Sequence, residues 1–519
     1  MVASVRSQGP RTPETDPRVG VRDVSVARQG EPKHRLVAIG DSLTQGFQSA
    51  AIFNTALSYP AIVAYELGCA EQFRHPRYDG VGGLPFNIEP FLRDLEARYG
   101  RAVDVWEAPF AVFRALSLMD RVEDYWERGP GLTVPPTTAV MHNLAVFGWD
   151  LRDALSKSAD ECRSRIDRPK DDPIIQIVQN AAERAALRVL PTKPPAAGAL
   201  TQLGAAAELG KDTDGTGGEY GIETLVVFLG ANNALRAVTE LKVVWSEDPG
   251  FDSLDHKGRF TVWRPEHFVA ELRQVAAAVT EIKARHVIWC TVPHVTIAPI
   301  ARGVAGKTRP GSLYYPYYTR PWISDRNFDP GRDPGITGAQ AQEVDGAIDE
   351  YNDAITGVVR EARNQGRDWY LLETCGLLDR LASRRYAEDP SARPDWWQPY
   401  PLPPALQALT PPPNSHFLAC DGGRRTDGGL FSLDGVHPTT VGYGIVAQEL
   451  INVMRLAEVE FLRPDGHTPR QDPVLVDFDR LIRNDTLINR PPGNLDSSLR
   501  VLGWADEATD LFRRVFTSF

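Results

Sequence analysis

Five short apolar runs, at residues 35–39, 138–147, 223–229, 286–292 and 369–373, constrain this chain more than any other feature. Each is stopped by a glycine or a polar turn, and segments of helical spacing lie between them. Runs that are apolar at nearly every position suit strands buried on both faces, and their alternation with helices predicts a mainly parallel sheet covered on both sides. The expected fold class is therefore α/β with a mainly parallel five-stranded sheet. Right-handed crossovers bring every strand's carboxyl end to one edge, where such proteins hold their reactive groups.

Several polar residues fall at that edge. The first run breaks at Gly40 into Asp41, Ser42 and Leu43, and Pro60 opens a helix shortly after. A small residue lets the chain turn there, and the amides that follow can face a developing anion, which makes Ser42 a candidate nucleophile. A plain helix cap by Asp41 or Ser42 is the alternative. The second run ends at Gly148, before helical spacing over 149–155, and the third leads into Gly230, Ala231, Asn232 and Asn233. Asn232 taken alone reads as a turn former or cap. Near the far end Asp434 precedes His437 by three residues. A local turn would bring that carboxylate to Nδ1 of the imidazole and leave Nε2 free to take a proton from Ser42. A helix cap and a histidine held by Pro438 would explain the pair equally well. His294, after the fourth run, reads as a packed or capping residue.

Charge and cysteine usage exclude other classes. There are 57 basic and 68 acidic residues, a net −11, with no basic block, which argues against nucleic acid as the main partner. No zinc-type cysteine spacing and no Walker loop is present. The five scattered cysteines (Cys69, Cys162, Cys290, Cys375, Cys420) suit buried reduced thiols rather than a disulfide framework. Residues 1–34 lack the apolar core of a signal peptide, and no later run has membrane-spanning length. A soluble cytoplasmic protein is expected, or a secreted one if a leader has been removed.

The organisation expected is an N-terminal tail at 1–34, one domain at 35–455, and a C-terminal helical extension at 456–519, with helical spacing at 475–488 and 505–516. Insertions enlarge the domain at about 69–136, 191–221, 302–340 and 384–429. The glycine-rich stretch 214–218 reads as a loop, because a strand follows it where a phosphate cradle would need a helix. The aromatics of 314–322 would line a pocket or pack on the domain.

Four blocks in order resemble the SGNH hydrolases, the GDSL esterase and lipase family: Gly40-Asp41-Ser42-Leu43, the glycine Gly148, Gly230-Ala231-Asn232-Asn233, and Asp434-Gly435-Val436-His437-Pro438. Asn233 stands where the family has Asp, and altered loop hydrogen bonding is expected there. The resemblance implies a flavodoxin-like three-layer α/β/α fold and no metal or organic cofactor. It also implies a catalytic triad of Ser42, His437 and Asp434 with an oxyanion hole from the Ser42 amide, the Gly148 amide and the Asn232 side chain. Gly80, Gly82 or Gly83 is the alternative for the second block, since 106 residues separate Ser42 from Gly148. The implied activity is carboxyl-ester hydrolysis of a small-molecule, lipid or carbohydrate ester. An acyltransferase or thioesterase would use the same triad, and a non-catalytic binding module would keep the fold alone. Oligomeric state is not legible.

Overall fold

Four of the apolar runs form a parallel sheet. Strand β1 (His34–Gly40) pairs with β2 (Ile222–Phe228), β2 with β3 (Ala284–Cys290), and β3 with β4 (Trp369–Leu372). Gly40 lies opposite Phe228 and Cys290 opposite Leu372, so the carboxyl ends open at one edge. The computed structural model describes residues 11–22, 24, 30–100, 107–134, 139–167, 177–192, 199–213, 218–463, 465–493 and 495.

The expected fifth strand is a correction. Thr138 is outside the described residues, and 139–147 runs beside β1 with a single parallel bridge, Asn143 to Ala38. Leu144 N donates to Ala38 O (2.9 Å) and Val146 N to Gly40 O (3.2 Å). The segment is pulled out of strand geometry elsewhere. His142 N and Asn143 N both donate to Arg74 O, and the Asn143 side chain bonds Thr44 O and Ala145 N. The backbone carbonyl of Arg74 takes the amides that would have extended the ladder beyond the Ala38 N to His142 O bond.

Alternate residues of the strands enter two separate apolar clusters, which is why the runs read as continuously apolar. Val37, Ile39, Leu225, Val227, Val287 and Trp289 face one; Leu36, Ala38, Val226, Phe228, Ile288 and Cys290 face the other. The first face is covered by the helices Gln202–Lys211, Pro265–Thr280 and Gly338–Asn364, with Phe268 and Tyr351 stacked at 3.9 Å. Tyr59–Glu66 and Thr440–Leu456 cover the second.

Outside the sheet, the tail is not merely draped. Buried Arg11 donates to both Glu373 oxygens (3.0 Å each), Asp353 (3.0 Å) and Thr356 (3.2 Å), and Pro17 O accepts from Leu371 N at the edge of β4. Its anchor is charge, which apolar periodicity does not register. The insertion 191–221 contributes the helix Gln202–Lys211, while 214–217 is outside the described residues. Within 302–340, three short strands (Arg302–Val304, Tyr317–Thr319, Ile336–Thr337) form a separate sheet. In the extension, the helices Phe478–Asn484 and Thr486–Asn489 pack by Phe478 and Leu481 against Gly444, and 505–516 is outside the described residues. No helix among the described residues is long and apolar enough to cross a membrane. All five cysteines are buried.

Candidate active site

Ser42 follows β1 after the single residue Asp41 and begins the one-turn helix α1 (Ser42–Gln45). Asp41 caps it, accepting from Leu43 N at 3.0 Å. Gly40 is required because a Cβ there would overlap the Thr44 side chain and approach Phe228 O to 2.9 Å.

Asp434 and His437 reach Ser42 from the loop before the helix α2 (Thr440–Leu456). Gly435 adopts a φ of +66°, its N–H donates to Ser432 O (2.9 Å), and Ser432 N donates to His437 O (2.8 Å). This tight turn folds the carboxylate under the ring. His437 Nδ1 donates to Asp434 Oδ2 at 2.9 Å, which leaves Nε2 to accept from the Ser42 hydroxyl at 2.9 Å. All three side chains are buried, and the Phe47 ring packs on the imidazole with centroids 4.6 Å apart.

Five donors converge on Asp434: Val436 N, His437 N and Ser432 Oγ on Oδ1, and Ala50 N and His437 Nδ1 on Oδ2. Burial by itself would raise this carboxyl, but the imidazole and the amide donors outweigh it and hold it below the ordinary aspartate range. Ala50 and the preceding Ser49 have positive φ (63° and 51°), a strained conformation that aims Ala50 N at the carboxylate and Ser49 N at Ser432 Oγ. Asp41 is the opposite case. Its Oδ2 is buried without a hydrogen-bond partner, and burial pushes its carboxyl up to about 7.

The remaining expected residues come off neighbouring segments at the same edge. Gly148, at φ +74°, follows Val146, which donates to Gly40 O, and Phe147 N, which donates to Gln45 Oε1 at 2.8 Å. The turn bearing Ser42 and the turn bearing Gly148 are thus tied together. Asn232 follows β2, and its Nδ2 donates to Trp149 O at 2.9 Å. The alternative glycines lie elsewhere: a Cβ on Gly80 or Gly82 would strike Tyr125 or Val122 of the helix Ala108–Glu127, and Gly83 packs on Ala51. Asn233, where the family has Asp, is fully buried; Oδ1 accepts from Leu151 N at 3.4 Å and its carbonyl from Trp263 N at 2.8 Å.

Two cavities meet these groups. Ser42 and His437 line a cleft whose other walls are mainly apolar, among them Leu235, Leu378, Phe431 and Val446. Gly148 and Asn232 line a more polar cavity with Lys157, Lys257 and Trp263, and Leu235 borders both. Hydrogen bonds join Ser42, His437 and Asp434 directly, whereas Gly148 and Asn232 are joined to each other through Trp149.

Sequence reasoning missed Gln45, Ser432 and Gln202. Gln202 is fully buried and its Nε2 donates to Gly40 O and Leu144 O, each at 2.8 Å, clamping the end of β1 to the adjacent segment. A glutamine three residues beyond Ser42 was the available signal for Gln45; Gln202 had none, because its partners are backbone atoms distant in sequence. No family model matches the chain, and no curated protein matches it in sequence.

Proposed function

We propose that this chain is a serine carboxyl-ester hydrolase of the SGNH type, acting through an acyl-enzyme at Ser42. The observation that carries the reading is the continuous hydrogen-bond chain from Ser42 Oγ through the His437 imidazole to Asp434, with both links at 2.9 Å. The flavodoxin-like three-layer arrangement is supported by the spatial order of segment 142–146, β1, β2, β3 and β4. In chain order this is 2-1-3-4-5, with apolar clusters on both faces.

In the first half-reaction Ser42 Oγ attacks the ester carbonyl carbon while its proton passes to His437 Nε2. The Ser42 and Gly148 amides and the Asn232 side chain hold the oxyanion. One Asn232 N–H is used by Trp149 O, and the second remains for substrate. Collapse breaks the ester C–O bond, and Nε2–H protonates the leaving alcohol. Water then repeats the sequence at the acyl-enzyme, giving the acid and restoring Ser42. Asp434 stays ionised throughout and steadies the imidazolium. The apolar cleft beside Ser42 favours acyl chains longer than acetyl.

Hydrolysis of p-nitrophenyl esters from acetyl to palmitoyl tests this reading. Ser42→Ala is expected to abolish turnover and Asn232→Ala to lower kcat by ~10²–10³. Activity that persists in Ser42→Ala overturns the assignment. Absence of both turnover and phosphonate labelling of Ser42 in the wild type would make the chain a binding module.

A further inference from the structure

We propose that His294, Cys375 and Asp379 form a site for one divalent transition-metal ion of zinc type, in the wall between the Ser42 cleft and a second cavity. His294 comes from the loop after β3, and Cys375 and Asp379 stand four residues apart on the helix Thr374–Leu381, so both face the same way. The three ligand atoms lie within 4.8 Å of one another. His294 Nδ1 is 3.0 Å from Asp379 Oδ1 and 3.5 Å from Cys375 Sγ. Ligands around a tetrahedral zinc ion at its usual bond lengths stand about 3.3–3.8 Å apart, so small movements suffice to admit it.

Three further features suit an ion. His294 Nε2 bonds Asp349 Oδ1 at 3.2 Å, the carboxylate support that orients a metal-bound imidazole through its other nitrogen. The surroundings are rich in carboxylate: Asp345, Asp349 and Asp379 are grouped with two cations, Arg385, which pairs with Asp345 at 2.5 Å, and Arg11, whose charge acts on Asp349. Asp345 Oδ1 is itself buried without a hydrogen-bond partner. Access is also present, because His294 lines both the apolar cleft and a second, open cavity that Tyr314, Asp345 and Asp349 share. A thiolate, an imidazole and a carboxylate are the donor set of zinc rather than of magnesium or calcium. Binding would displace the thiol proton, and the cavity would supply water as fourth ligand.

Cobalt(II) titration into the full-length, chelator-stripped, reduced protein tests the site. One equivalent is expected to give the visible bands of a four-coordinate ion and a thiolate-to-cobalt charge-transfer band, with zinc(II) displacing it and raising Tm. Cys375→Ala should lose the charge-transfer band while Cys69→Ala keeps it, and Asp379→Asn should weaken binding at least tenfold. A wild-type protein without that band, or a folded Cys375→Ala that retains it, overturns the proposal. His294 would then be an imidazolium bridging Asp379 and Asp349. The wild-type and Cys69→Ala spectra decide even if Cys375→Ala does not fold.

Discussion

At the residue scale, Asp434 and Asp41 are carboxylates with opposite environments, and each environment makes a different demand on pH. Asp434 is held low by His437 and amide donors; Asp41, which caps the helix of the nucleophile, is pushed up to about 7 by burial. A folded-state value above the ordinary 3.8 means that the folded protein binds the Asp41 proton more tightly than the unfolded chain does. The resulting stabilisation is complete below 3.8 and is lost as pH rises through about 7. Asp41→Asn keeps the oxygen that accepts from Leu43 N but cannot ionise. Tm curves of wild type and Asp41→Asn should therefore diverge as pH is raised from 4 to 8, the wild type falling behind by on the order of a few kcal/mol. Parallel curves would mean that Asp41 is already ionised at acid pH. The Asp434–His437 pair was legible because the two are three residues apart across a glycine turn, and Ser42 because its strand-end turn is local. The approach of Ala50 N to Asp434 was not, since it depends on two loops 384 residues apart.

At the element scale, the sheet edge is built by strand ends that are in register. All four strands of the sheet and the helices after them were readable from apolar runs and their stops, and β1 with its glycine turn was the clearest guide to Ser42. Segment 139–147 misled because apolar composition reports burial, whereas strand geometry needs a free ladder, and Asn143 and Arg74 take those hydrogen bonds. Gln202 compensates by bonding both carbonyls, at Gly40 and Leu144. Gln202→Ala removes the donor to Leu144 O and one of the two donors to Gly40 O, and should cost about 1–3 kcal/mol, read as a lower urea midpoint at unchanged slope. A midpoint equal to wild type would show that water replaces the clamp.

For the whole molecule, the N-terminal segment closes the outer edge of the sheet. Pro17 O caps Leu371 N of β4, and Arg11 is held among Glu373, Asp353 and Thr356. Glu373 also caps the helix that carries Cys375 and accepts from Thr291, so the tail braces strand and helix together. Arg11→Ala leaves the Glu373 carboxylate largely buried without its cation and should destabilise by roughly 3 kcal/mol. It should also promote association through the uncovered strand. Thermal unfolding and light scattering check this, with Arg302→Ala, at an exposed ion pair, as the reference that should change little.

By itself the sequence determined the α/β class, the strand ends and the order of the polar blocks, because backbone periodicity and turn chemistry act over a few residues. Only the tertiary structure decided that the sheet has four strands among the described residues, that the tail is anchored, that Gln202 ties two turns, and that His294 meets Cys375 and Asp379. Those outcomes depend on buried polar groups finding partners far along the chain, and a linear pattern carries no record of which group each will find.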